Sequence, residues 1–242
     1  YAFDVLMQIY ESYGYSQRDA TKSILENNLY GLDIDNRAYQ LAYFAVMMKA
    51  RQYNRRILNG ETTCHVYSIQ ESNGINRDQL QYFGTGMSEM ERNTAILQMQ
   101  GLLDTYVDAK EYGSLLNIEN LNWSLLNQFV DNTDNNVQMT LDTIGLDDTQ
   151  VKLRQLVKIA EVMAQKYEVV ITNPPYMGNS GMGVKLSDFV KRNYLDSKSD
   201  LFAVFIERCG KMTKKNYYQA MITQHAWMFL SSFEKLREKI LL

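Results

Sequence analysis

A chain of 242 residues with 45% hydrophobic and 22% charged side chains has material for one large domain or two small ones, each with a buried core. Its net charge of -3 is unevenly spread, with eleven Lys and Arg against six Asp and Glu from Ile171 onward, so the C-terminal third suits a nucleic-acid face or, equally, a set of solvated helices. Two cysteines exclude a disulfide framework, His65 and His225 are too far apart to suggest a metal site, and the absence of any long apolar run or signal peptide points to a reducing, cytoplasmic setting.

In chain order, Tyr1 to Tyr10 already reads as the middle of an apolar-faced helix covering residues 2 to 14, and a short second helix spans about Ser16 to Glu26. Asn27-Asn28 breaks the pattern, and Leu29 to Asp35 reads as a short buried strand ending in acids. Asp35 or Asn36 can cap a long helix to about Leu58, with Ala38, Leu41, Ala42, Phe44, Ala45 and Met48 on its apolar faces. Asn59-Gly60 is a turn, and His65 to Ile69 is a second strand. Helix, strand, helix, strand is the grammar of a parallel α/β sheet.

From about Gly74 to Lys166 that rhythm stops. The stretch reads as helices, including Met87 to Asp104 and Val151 to Lys166, with an acidic linker near Asp131 to Asp148. Tyr167 to Thr172 then resumes the strand pattern and runs into Asn173-Pro174-Pro175-Tyr176. A Gly-rich loop, a helix from about Asp200 to Met212, a strand from Tyr218 to Thr223 and a final helix capped by Ser231 or Ser232 complete the chain. The expected organisation is therefore a core segment 1–73, a helical insertion 74–166 and a second core segment 167–242. The last residues, Glu234 to Leu242, read as a helix still running, so the chain is expected to be a piece of a longer protein.

The chemistry concentrates at Asn173-Pro174-Pro175-Tyr176, which holds the only two prolines in the chain. Proline fixes φ and removes an amide donor, giving a stiff backbone whose carbonyls are free to accept. At the carboxyl end of a parallel strand, such a loop lies where α/β proteins place ligands. An exocyclic amine offers two N–H donors, and the Asn173 side-chain oxygen and the Pro174 carbonyl can accept both. That orients the nitrogen lone pair toward an electrophile while Tyr176 stacks on the ring, so alignment supplies much of the catalysis. The plainer reading is a rigid Pro-Pro turn preceded by an Asn that bonds its own backbone.

The tetrapeptide resembles the catalytic motif of amino-methyltransferases acting on DNA. Three further segments, Leu29 to Ala38, Ser199 to Arg208 and Ala220 to Leu230, resemble the adenine-specific methyltransferases of bacteriophage-exclusion systems (the Pgl/BREX type), relatives of the type IIG restriction-modification methylases. The resemblance implies a Rossmann-like class I methyltransferase fold, S-adenosyl-L-methionine as methyl donor, and double-stranded DNA with a flipped-out adenine as substrate. It further implies that Asp33 holds the cofactor ribose and Ile34 packs on its adenine, with Gln70 or Glu71 reading the adenine amine. Other phage-defence proteins are expected partners.

The same resemblance places a Gly-rich first motif, with the first strand of the sheet, ahead of Tyr1, and a target-recognition domain beyond Leu242. This chain is accordingly expected to bind cofactor poorly and to be inactive alone. Gly178 to Ser187 imitates a phosphate-binding loop, but Val184 intervenes between the last Gly and Lys185, and Leu186 follows where Ser or Thr belongs. It reads instead as a flexible flap beside the base, with Lys185, Lys191 and Arg192 available to phosphate. Trp227 and Phe229 either line the pocket mouth or pack on the sheet. The competing functions are glutamine methylation on a protein and a catalytically silent interaction module of a defence complex.

Overall fold

The computed structural model describes residues 1–133 and 143–241. The expected acidic linker therefore lies in part, at 134–142, outside the described residues. The chain forms two compact units, Tyr1–Gln70 and Glu71–Leu242, and its secondary structure is mixed α/β.

The first unit contains α1 (Ala2–Ser12), α2 (Gln17–Ser23), β1 (Tyr30–Asp33), α3 (Asn36–Tyr53) and β2 (His65–Ser68). Ser16 caps α2, its hydroxyl accepting the Asp19 amide at 3.1 Å, and the helix widens into a π turn, Ile24–Asn28. β1 and β2 pair in parallel, Tyr30 opposite His65 and Asp33 opposite Ser68, with α3 as the crossover. β1 is shorter than the sequence suggests because Asp35 turns the chain into α3. Its carboxylate accepts the Arg37 amide at 2.6 Å and the Ala38 amide at 3.1 Å.

Helix α3 does not bury the expected residues. Met47 and Ala50 enter the core with Phe3, Met7, Ile24, Leu25 and Val66, flanked by Tyr39, Val46 and Tyr53 at seven-residue spacing. Leu41 and Phe44 remain 70% and 63% exposed. Apolar residues surround much of this helix, so periodicity alone could not choose its inner face. Contacts with α1 choose it: Tyr53 stacks on Phe3 with ring centroids 5.9 Å apart, and Asp4 accepts from Lys49 at 2.7 Å and from the Tyr53 hydroxyl at 3.1 Å.

The second unit contains α4 (Glu89–Thr105), α5 (Ala109–Tyr112), α6 (Trp123–Asp131), α7 (Leu146–Ala164), β3 (Tyr167–Thr172), α8 (Val184–Asn193), α9 (Leu201–Met212), β4 (Thr213–Met221) and α10 (Glu234–Leu241). A capping box between Ser88 and Glu91 starts α4. Helices α4 and α7 both pack on α6, with Met99, Leu103, Leu126, Phe129, Leu153 and Leu156 fully buried. Ser231 and Ser232 form a 3-10 turn, Ser231–Phe233, ahead of α10, with no side-chain cap at its start.

β3 pairs in parallel with β4, Val169 opposite Tyr218 and Thr172 opposite Met221, and α9 packs against both strands. The apolar run Val169-Val170-Ile171 predicts a buried strand. Only the face toward α9 is covered: Val170 is half-buried, whereas Val169 is 53% and Ile171 70% exposed. Cys64 and Cys209 are both free and buried, and burial pushes each thiol up to about 11. Among the described residues, no helix is long and apolar enough to cross a membrane.

A buried guanidinium joins the helical stretch to the strand layer. Arg208 on α9 is 3% exposed and donates to the Ser114 carbonyl at 2.8 Å and the Met163 carbonyl at 3.3 Å. Arg208→Ala leaves both acceptors without that donor and opens a cavity, so it should destabilise the protein by about 2–4 kcal/mol. A lowered urea midpoint at unchanged slope checks this.

Candidate functional site

The loop Asn173-Pro174-Pro175-Tyr176 leaves the carboxyl end of β3 with Pro174 buried and Asn173, Pro175 and Tyr176 exposed. One proline thus anchors the turn in the unit while its neighbours face outward. The Tyr176 hydroxyl donates to the Ile222 carbonyl at 2.9 Å, just past the end of β4. Its ring meets Phe202 edge-on, with centroids 6.2 Å apart and an interplanar angle of 61°. Phe202 is only 1% exposed and packs in turn against Phe233, so Tyr176 leans on a fixed wall. Nearly half of the Tyr176 surface, 47%, stays open.

The segment after Tyr176, expected from its glycines to be a flap, is hydrogen-bonded to the residues ahead of α9. The Met177 amide donates to Asp200 Oδ1 at 3.1 Å, and the Met177 carbonyl accepts the Leu201 amide at 3.0 Å. The Asn179 amide donates to the Ser199 carbonyl at 3.1 Å, and the Ser187 hydroxyl to Asn179 Oδ1 at 2.9 Å. A 3-10 turn, Asn179–Gly181, then leads into α8. None of Gly178, Gly181 and Gly183 has a positive φ, so the run needs no left-handed backbone. The density of glycines concealed α8, whose Val190 is fully buried.

Lys185, expected to be available to phosphate, is paired with Asp108 Oδ2 at 2.6 Å. Asp108 has a left-handed backbone, φ 54°, and exchanges two bonds with Asn73: its amide donates to Asn73 Oδ1 at 2.8 Å and its Oδ1 accepts from Asn73 Nδ2 at 3.0 Å. The Lys185 ammonium, and after it the Asn73 amide, hold the Asp108 carboxyl below the usual carboxylate range. Lys191 and Arg192 lie exposed in the last turn of α8.

In the first unit, Asp33 ends β1, Ile34 follows it and Gln70 lies just past β2, so the parallel pairing brings them to one edge. Asp33 is exposed, and its Oδ1 accepts the Asp35 amide at 2.8 Å. The capping of α3 falls to Asp35, as the spacing suggests, and Asp33 is left outside it. Ile34 is 46% exposed. Gln70 is half-buried and donates to the Ser68 hydroxyl at 2.7 Å. Glu71 opens the second unit, where its Oε1 accepts the Lys110 amide at 3.1 Å near the start of α5.

Trp227 and Phe229 part company. Trp227 is half-buried beside Phe202, Ile206, Phe233 and Leu236, with its indole N–H donating to Thr223 at 3.2 Å, whereas Phe229 is 75% exposed. Two partners of the loop, Asp200 and the Ile222 carbonyl, were not read from the sequence as site groups. Ser199-Asp200 ahead of an apolar run is a helix-start signal that could have exposed the first. No sequence signal marks a backbone carbonyl.

The profile of the Eco57I restriction-modification methylase family matches residues 27–242. The chain belongs to that family. The adenine-specific methyltransferase PglX of Lacticaseibacillus casei (strain Zhang) is 41% identical to this chain over 242 residues, covering 99% of this chain and 20% of that protein. The adenine-specific methyltransferase BrxX of Escherichia coli O9:H4 (strain HS) is 36% identical over 253 residues, covering 98% of this chain and 21% of that protein. The chain spans about a fifth of the length of these two relatives.

The Lys185–Asp108 pair has a signature in pH. A carboxyl whose folded pKa is depressed adds stability that is complete above its unfolded value, about 3.9, and is lost as pH falls through the lower folded value. The stability gap between the wild type and Lys185→Met should therefore be present at neutral pH and close progressively below about pH 4. Urea titrations of both proteins across that window check it.

Proposed function

We propose that this chain is part of a Rossmann-like class I methyltransferase that transfers a methyl group to adenine N6 in double-stranded DNA, within a phage-defence or restriction-modification system. The observation that carries the reading is the Asn173-Pro174-Pro175-Tyr176 loop, exposed at the carboxyl end of a parallel strand and fastened on both sides. Family membership and the names of the two relatives support it.

The chain's own residues do the positioning. Asn173 Oδ1 and the Pro174 carbonyl accept the two amine hydrogens of adenine, which turns the nitrogen lone pair outward. Pro174 is buried and its ring fixes φ, which leaves the backbone of the loop few conformations. Tyr176 stacks on the base through its open face, and since its hydroxyl is already engaged by Ile222, the ring acts as a shelf. A base within a duplex is out of reach of such a loop, so the adenine is flipped out before it binds.

The edge of the first unit fits S-adenosyl-L-methionine in its donor chemistry. Asp33 offers an exposed carboxylate, held by the Asp35 amide, to the ribose hydroxyls, and Ile34 offers an exposed apolar side chain to the adenine. Gln70 uses its amide nitrogen on Ser68, which leaves its oxygen as an acceptor for the adenine amine, and Glu71 is the alternative the sequence offers for that role. The cofactor, when bound, supplies a methyl group on a sulfonium leaving group, so no strong general base is required of the chain. The helical stretch before β3 gives other defence proteins a surface to dock on.

The full-length protein, incubated with labelled S-adenosyl-L-methionine and unmethylated genomic DNA, should place label on adenine N6. Asn173→Ala should reduce incorporation by roughly 100-fold or more, because one of the two acceptors that align the amine is lost. Label appearing on a protein glutamine, or none on DNA despite cofactor binding, would refute the reading.

A further inference from the structure

The backbone leaving Tyr176 is fastened by one side chain that also starts a helix. Asp200 is half-buried just ahead of α9, and its Oδ1 accepts both the Met177 amide at 3.1 Å and the Phe202 amide at 3.3 Å. The first amide follows directly on the Asn-Pro-Pro-Tyr loop, and the second belongs to the helix whose Phe202 supports the Tyr176 ring. Gly178 and Asp200 also form an antiparallel bridge. The two segments lie in contact: a Cβ on Gly178 would meet Asp200 Oδ2 at the ordinary distance of 3.7 Å.

We propose that Asp200 is a positioning residue for the proposed methyl transfer. By holding the Met177 amide, its carboxylate sets Tyr176 and the Asn173 and Pro174 acceptors in place before the target base arrives. It acts through Met177 and not on the base, and the inference rests on the amine-binding reading of the loop. A carboxylate suits this place because the first turn of α9 has unpaired amides and the positive end of the helix dipole. Capping and positioning thus draw on one side chain, and a useful variant separates them. Serine at this position still caps a helix but is too short to reach Met177, whereas asparagine keeps an acceptor at the same distance.

The test uses the full-length protein and measures kcat, the KM for S-adenosyl-L-methionine, the melting temperature and hydrogen exchange over residues 173–183. Asp200→Ser should melt close to the wild type and exchange faster over 173–183. Its kcat should fall by roughly 10- to 100-fold, as expected for misplaced reacting groups, with an unchanged cofactor KM. Asp200→Asn should restore both kcat and protection. Wild-type kcat and exchange in Asp200→Ser overturn the proposal, as does an Asp200→Asn as impaired as the serine variant, or a cofactor KM that rises in step with the loss. If Asp200→Ser does not fold, Asp200→Glu, a capping carboxylate displaced by one methylene, makes the same comparison. If the wild type labels no DNA, the methylation reading falls on its own, and exchange over 173–183 in the serine and asparagine variants still decides for or against the clamp.

Discussion

Two strands that run parallel cannot be joined by a tight turn, so the chain between them has to travel back along the sheet. β3 and β4 are parallel, and α8 and α9 make that return journey. The carboxyl ends of both strands consequently emerge on one edge. Tyr176, leaving β3, can then reach the carbonyl of Ile222, leaving β4, across 2.9 Å. The same return path delivers the start of α9 to Met177. An antiparallel hairpin would have sent the loop after β4 to the opposite edge and left Tyr176 unsupported. In the first unit, parallel pairing of β1 with β2 likewise brings Asp33 and Gln70 to one edge.

The way the second unit is held together suits a site that works by alignment. The turn at Gly113–Leu115 receives two side-chain donors from the strand layer: the Tyr194 hydroxyl bonds the Leu115 carbonyl at 2.6 Å and Arg208 bonds the Ser114 carbonyl. Apolar packing alone tolerates small slips between helices, whereas directed bonds in a low-dielectric interior fix a register. Phe202 and Arg208 lie on the same helix, so the wall behind Tyr176 is tied to the rest of the unit by bonds that do not slide. For the proposed methyl transfer, whose electrophile is already activated, that rigidity serves the alignment of the reacting groups.

The elements most legible in the sequence were those with local causes. Ser16 and Asp35 announced helix starts, Asn59-Gly60 a turn with Gly60 at φ 86°, and Tyr167 to Thr172 a strand. Asn173-Pro174-Pro175-Tyr176 was legible because two prolines after a strand leave few backbone options. What escaped depends on partners distant in sequence. Which side of α3 is buried follows from Phe3 and Asp4, some 50 residues away. Helix α8 was hidden by the glycines before it, and α5, at four residues, is too short to declare itself. The grip on the loop by Asp200 and by the Ile222 carbonyl is tertiary, and no pattern around residue 173 encodes it.

Asp108 carries a consequence for the drift of the sequence over generations. Its backbone sits in the left-handed region, which glycine, asparagine and aspartate enter at least cost. Its carboxylate is at the same time the partner of Lys185 and Asn73. Glycine would satisfy the first demand and fail the second, and glutamate would do the reverse. Aspartate meets both demands at position 108. Any other residue at 108 trades backbone strain against the tie to a side chain 77 positions along the chain.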